Sequence, residues 1–293
     1  MNDVGAPPSP SVDPLERARL RMTGDLGRAL SLADCAAAAG LSPYHFSRQF
    51  AARYGTSPIA YARSLRLHAA AERLASQTPP RLIDLALDCG FDTQEGFTRA
   101  FARAFGVTPG RFQRGARPVP SESPPMPSGL DALPTLIQAD GPERMPALRI
   151  AGLSQIFEEA TKAGIPALWG RLFAHPALAG WTGGQTFGVC AAIGEGSGDM
   201  RYMAGLEAAG GEPAPPGLEF IELPSRDYLI FTLETQGPDL HAQMQAAARE
   251  IWGQRLPRTG LRLARAPDLE VYPPGFDPSR AGATIAWWIP VEP

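Results

Sequence analysis

The sequence predicts a multidomain chain, an all-α half followed by an α+β half, and three observations carry that prediction. Through residues 12–117 apolar side chains recur every three or four positions, with many alanines and almost no β-branched runs, which is the period of helices with one buried face. From about residue 141 short alternating segments separated by Gly and Pro take over, the period of half-buried strands. Between them Pro118–Ser128 (PVPSESPPMPS) holds five prolines and neither period, which marks a semi-rigid linker. The expected domains are therefore 12–117 and 141–293, joined by 118–140, and 293 residues at roughly 150 per domain agree with two. Residues 1–11, rich in Pro and Ser, are expected to fray.

Composition excludes several classes. With 44% hydrophobic and 19% charged residues the chain is globular, and no run approaches the roughly 18 apolar residues that a membrane helix needs. The N-terminus carries Asp3 and prolines in place of a basic and then apolar leader, so a cytoplasmic protein without membrane contact is expected. Cys35, Cys89 and Cys190 are odd in number and far apart, which reads as reduced packing residues. His45, His68, His175 and His241 have no ligand-spaced partners, so neither a metal nor a cofactor is expected. Charge is divided unequally. Residues 12–118 hold 15 Arg, no Lys and 9 acids, net +6, while 127–293 hold 12 basic and 19 acidic residues, net −7. A polyanion would meet the first half and be repelled by the second.

The first half reads as two helix-turn-helix units. Ser31 and Asp34 form a capping box that opens a short helix, Gly40 supplies a left-handed turn, and Ser42 with Pro43 opens a second helix. Phe46 and Phe50, four apart, face inward, which leaves Tyr44, His45, Ser47, Arg48 and Gln49 pointing outward or sideways. A strip of Arg, Gln and Ser is what reading base edges requires. The pattern returns about 51 residues later. Leu82, Leu85 and Ala86 form an apolar face, Gly90 makes the turn, and Asp92 caps a helix that buries Phe97 and Phe101 and presents Gln94, Glu95, Thr98 and Arg99. Arg48 and Arg99 hold equivalent places. Ile59–Ser76 between the units is helical, about 27 Å long at 1.5 Å per residue, a strut able to set two reading helices in successive major grooves roughly 34 Å apart. Tamer readings stand beside these: Glu95 completing a capping box with Asp92, Tyr44 resting on a phosphate, and His45 and His68 on the helix surface.

The stretch from Ser31 to Ala75 (SLADCAAAAGLSPYHFSRQFAARYGTSPIAYARSLRLHAAAERLA), followed by Cys89–Phe112 (CGFDTQEGFTRAFARAFGVTPGRF), resembles the DNA-binding domain of AraC/XylS-type transcription regulators over about 100 residues. The resemblance implies base contacts from Tyr44, Ser47 and Arg48, with Gln49 beside them, and from Gln94, Glu95, Thr98 and Arg99. Two departures are Gly24, which interrupts the family's first helix, and Gly96, which loosens the second reading helix by roughly 1 kcal/mol relative to alanine.

In the second half, strands are expected at Ala147–Leu153, Thr186–Ile193, Arg201–Glu207, Leu229–Gln236, Leu269–Tyr272 and Ala283–Ile289. A helix around Leu240–Trp252 aligns Leu240, Met244, Ala247, Ala248 and Ile251 for packing on a sheet. Strand–helix–strand–strand occurs over 145–207 and again over 229–290, a duplicated β-α-β-β with a pseudo-two-fold cleft. Arg201–Glu207 (RYMAGLE), Leu269–Tyr272 (LEVY) and Ile285–Val291 (IAWWIPV) are similar to GyrI-like effector-binding domains, which implies a cleft for an aromatic, often cationic compound. The family's buried glutamate matches Ala286 here, so Glu207 or Glu270 is left to supply the charge, unless each is an ordinary solvated or hydrogen-bonded strand carboxylate. Trp288 shares the face of Ala286 and provides an aromatic wall, and Trp169, Tyr202 and Tyr272 are candidates for the lining or for core. Gly194–Asp199 misses the dinucleotide fingerprint at its last glycine and reads as a turn.

These expectations amount to a transcription regulator, not an enzyme, with double-stranded DNA, a small-molecule effector and RNA polymerase as partners and no fixed oligomeric state. A hydrolase and a binder that sequesters toxic compounds are the rival readings of the second domain.

Overall fold

The computed structural model describes residues 13–24, 31–76, 78–116, 135–179, 181, 183–193, 199–208, 215–237 and 239–292. The chain divides into two compact units, Met1–Ser128 and Gly129–Pro293. The prolines of 118–128, residues 1–11, most of the Gly194–Asp199 turn and the chain following Gly24 lie outside the described residues.

The first unit runs α1 (Pro14–Gly24), α2 (Leu32–Ala39), α3 (Pro43–Tyr54), α4 (Pro58–Leu74), α5 (Leu82–Asp88), α6 (Gln94–Phe105) and α7 (Pro109–Gln113). Local chemistry sets these bounds. Ser31 and Asp34 do form a capping box at α2, and Ser42 Oγ accepts the His45 N–H at α3 with Pro43 in the first turn. Gly40 and Gly90 adopt φ of 71° and 74°, which an L side chain resists. At Gly90 a Cβ would also come within 2.4 Å of Arg66 Nη1, which donates to Cys89 O at 3.1 Å. One boundary differs from expectation. Thr93, not Asp92, caps α6, its Oγ1 accepting from Gly96 N at 3.1 Å, so Glu95 lies outside a box with Asp92 and instead sits 3.9 Å from Arg99 one turn on. Gly96 has a use here, since a Cβ at that position would press on Thr93 Oγ1.

Repetition at 51 residues extends into the packing. Phe46, Phe50 and Tyr54 form a ladder with centroids 5.4 and 4.5 Å apart, and Phe97, Phe101 and Phe105 repeat it at 5.6 and 4.5 Å. Each ladder anchors one core. Tyr61 near the start of α4 joins the first core, and Leu67, Ala70, Ala71 and Leu74 farther along join the second. One helix of 17 residues, about 26 Å long, thus holds both units.

The second unit is one antiparallel sheet: β1 (Thr135–Gln138), β2 (Glu143–Met145), β3 (Leu148–Phe157), β4 (Thr186–Ala192), β5 (Met200–Glu207), β6 (Glu219–Leu223), β7 (Arg226–Glu234), β8 (Asp268–Tyr272) and β9 (Thr284–Pro290). Their spatial order is β1-β7-β9-β8-β4-β5-β3-β6, with β2 also on β7. Helix α8 (Ile165–Phe173) follows β3, and α9 (Leu240–Glu250) continues through a π-helical turn, Ile251–Arg255, into α10 (Leu256–Thr259). Read outward from the middle, β4-β5-β3 and β8-β9-β7 mirror each other, so the duplicated halves meet where β4 pairs with β8. Three strands were not expected, and β1 occupies the end of the stretch read as linker. Segments of three to five residues are too short for alternation to register.

Candidate functional site

In the first unit, Phe46 and Phe50 turn inward at 0% exposure, as do Phe97 and Phe101, so Arg48 and Arg99, each two residues after the first Phe, project from the other side of their helices. On α6 the expected strip is present. Gln94, Glu95 and Arg99 are exposed, and Thr98 is half-buried with its hydroxyl bonded to Gln94 O at 2.8 Å. On α3 it is not. Arg48 is half-buried, but Tyr44 (6% exposed), Ser47 (7%), Gln49 (4%) and His45 are buried, against the expectation that they point to solvent. Part of the reason is local: Arg48 Nη1 donates to Tyr44 Oη at 2.9 Å with the guanidinium 5.6 Å from the ring centre, and His45 Nδ1 lies 3.0 Å from Ser42 Oγ. Polar identity alone was a poor guide to exposure on this helix.

In the second unit, directly paired residues share a face and neighbours along a strand alternate. Glu270 pairs with Gly188 on one side and Trp287 on the other, while Leu269 pairs with Trp288 and Val271 with Ala286. Trp288 and Ala286 therefore lie on the face opposite Glu270, packed with Tyr228, Leu269 and Val271. Trp288 is not part of a wall around the acid. Glu207 also drops out, since it is exposed at the end of β5 and pairs with Ile150, a member of that opposite core.

Glu270 is a buried carboxylate, at 9% exposure, on the seam between the repeats; Asp268 and Glu250 are buried as well. Tyr202 Oη donates to its Oε2 at 2.6 Å and Tyr272 Oη donates to the same oxygen at 2.9 Å. Trp169, from α8, donates Nε1–H to Tyr202 Oη at 3.0 Å and sets its ring edge-on to Tyr272 at 5.3 Å. Four of the expected residues, Trp169, Tyr202, Glu270 and Tyr272, are thus brought together. Burial and the charge of Glu270 push both phenols well above the usual tyrosine value, so they remain protonated donors. Two O–H donors converging on one oxygen hold the carboxylate in a fixed orientation inside an aromatic surround.

Gly188 makes this possible. A Cβ there would lie 2.2 Å from Tyr202 Oη and 2.7 Å from Glu270 Oε2. One repeat supplies the acid, and the other supplies the empty space across from it. Sequence reasoning missed Gly188, although a lone glycine inside an alternating strand signals close approach. It missed Asp268 too, buried on the same face and receiving Trp287 Nε1–H at 3.2 Å. Gly188→Ala is expected to displace Tyr202 or Glu270 and lower stability by about 1–3 kcal/mol, as overpacking does. Thermal unfolding checks this, and unchanged stability would show that the seam tolerates a side chain.

Among the described residues no group of three or more His, Cys, Asp or Glu could hold a metal ion, and no helix is long and apolar enough to cross a membrane. Cys35, Cys89 and Cys190 are buried thiols.

Comparison with known proteins agrees with this two-part fold. The helix-turn-helix domain family matches residues 35–115, and the family of the GyrI-like small molecule binding domain matches residues 143–292, just over half the chain. Transcriptional regulator Rob of Salmonella typhimurium is 39% identical over 95 residues, 32% of each chain, and the right origin-binding protein of Escherichia coli K12 is 40% identical over 93 residues, again 32% of each. The chain thus spans about a third of the length of these relatives. A solved AraC-type regulator from Chromobacterium violaceum is 30% identical, covering 34% of this chain and 89% of that one, with a TM-score of 0.33. With its antiparallel sheet and its paired helix-turn-helix units, the chain belongs to the GyrI-like small molecule binding family, carried here behind a helix-turn-helix domain of the AraC type.

Proposed function

We propose that the protein is a transcription regulator whose first unit binds double-stranded DNA through α3 and α6 and whose second unit binds a cationic aromatic effector at Glu270. One observation carries the DNA reading: two helices built on the same phenylalanine frame, each with an arginine at the same place and both braced by α4. The net +6 of residues 12–118 favours a polyanion on that unit. Gln94, Glu95, Thr98 and Arg99 are the groups offered to bases by α6, and Arg48 is the group offered by α3. Tyr44 holds the Arg48 guanidinium, and Ser47 and Gln49 are buried beside it, so the reading of α3 rests on Arg48.

Arg48→Ala and Arg99→Ala are each expected to weaken specific binding by about 1–3 kcal/mol. Titration of a footprinted operator at fixed salt checks this, and wild-type affinity in both variants would assign reading to another face. The same titration repeated across salt concentrations should give a steep log–log decline, because phosphate contacts release counterions. A flat plot would rule out backbone contact by this basic unit.

The effector reading rests on Glu270 with its two phenols and an indole. For an effector to regulate, it must bind the DNA-competent and incompetent arrangements with different affinity, since equal affinity shifts nothing. Operator titration with and without saturating effector tests it; identical curves would favour the sequestering role. Hydrolysis is the rival reading of the second unit, since Glu270 is a buried acid. We read the second unit as a binder because the carboxylate oxygen already accepts two hydrogen bonds, and recovery of intact electrophilic compounds after incubation checks this. We propose RNA polymerase as the machinery on which such a DNA-bound protein acts, and the cytoplasm as the compartment in which it does so.

A further inference from the structure

Two of the large hydrophobic side chains exposed among the described residues are aromatic, Phe173 at 51% and Trp181 at 40%, and they are neighbours. Their ring centres are 6.0 Å apart with planes 31° from parallel. Phe173 in turn stacks on Trp169 at 5.7 Å and 26°, and Trp169 is the indole that donates to Tyr202 beside Glu270. Rings therefore continue without a break from the buried carboxylate to solvent. This touching pair of exposed aromatic rings leaves apolar area in water that an incoming ring would bury. Rings inclined by 26° and 31° along the series still present faces on which a further flat ring can stack. The inner end of the series differs in kind, since the carboxylate suits a positive charge.

We infer that Phe173 and Trp181 form an outer aromatic subsite that takes the flat end of an elongated cation whose charged end lies at Glu270. The effector is then a two-part molecule, a cationic centre joined by a spacer to a second aromatic ring, and the outer subsite selects for the second part. This inference rests on the reading of Glu270 as the effector site, and the experiment separates the two.

The full chain is titrated calorimetrically with phenyltrimethylammonium, a compact cation, and with a trimethylammonium that carries a naphthyl ring on a butyl tether. Phe173→Ala combined with Trp181→Ala is expected to weaken the tethered cation about tenfold or more and to leave the compact one within about twofold; Trp181→Phe should recover most of the loss. Glu270→Gln should weaken both. Equal effects of the double variant on the two cations, or no effect on either, overturn the outer subsite while leaving Glu270 as effector site intact. No effect of Glu270→Gln on either cation, or no wild-type binding of the tethered cation at millimolar concentration, overturns both readings. Concentration-dependent self-association that disappears in Trp181→Ala would assign the rings to a second copy of the chain and likewise overturn the subsite.

Discussion

Glu270→Gln is expected to lower the affinity of the second unit for a cationic aromatic compound about a hundredfold, while a neutral compound of the same shape stays within about threefold. The substitution keeps volume and an acceptor oxygen, so Tyr202 and Tyr272 can still donate to residue 270 and the local geometry survives. Only the charge is lost. A unit charge about 4 Å from a carboxylate at an effective dielectric near 20 gains roughly 4 kcal/mol, and stripping water from the cation takes back part of that. A net of about 2.7 kcal/mol is the hundredfold named. The matched pair for titration is a quaternary ammonium and its uncharged carbon analogue. Equal losses for the two would mean that Glu270 holds its neighbours in place and does not select charge, and no loss for either would remove it from the site.

How far the sequence revealed this site differs residue by residue. Alternation places Glu270 and Tyr272 on one face of β8, and Tyr202 follows from the β5 motif, so the core of the site was readable. The error concerned Trp288. Alternation says that Trp288 and Ala286 share a face, but which face meets Glu270 depends on the register between β8 and β9, and a one-residue shift in pairing reverses it. Gly188 was hidden for a different reason: its role is to lack atoms, and that has meaning only once Tyr202 and Glu270 are seen to converge there. In the first unit the repeat itself held more than was taken from it. Adding the 51-residue period to Ser42 gives Thr93, the cap actually used, whereas choosing Asp92 by residue type picked an equally good capper one position early. Tyr44, Ser47 and Gln49 were misread because apolar periodicity identifies one buried face and says nothing of a second.

Phe101→Ala is expected to cost the first unit about 3–5 kcal/mol, the range for emptying a fully enclosed aromatic site. Phe101 is 0% exposed and touches Phe97, Phe105 and Phe112 at ring separations of 5.6, 4.5 and 5.5 Å, so its loss leaves a void that three rings cannot all close. Because α6 is fixed to α4 through this core, the strip carrying Gln94 and Arg99 loses its orientation, and operator affinity should fall with the fold. A loss of this size is a large fraction of the 5–15 kcal/mol that holds a typical domain together. The second unit has a core of its own, built from residues such as Ile150, Phe187 and Leu269, and none of these belongs to either core of the first. Effector affinity at Glu270 should therefore survive in Phe101→Ala, and calorimetry should show an early transition that moves and a later one that does not. A single transition that shifts as a whole, with effector binding lost alongside DNA binding, would mean that the two units unfold as one cooperative block. Regulation would then run through shared stability, and an effector would act by holding the reading helices in place.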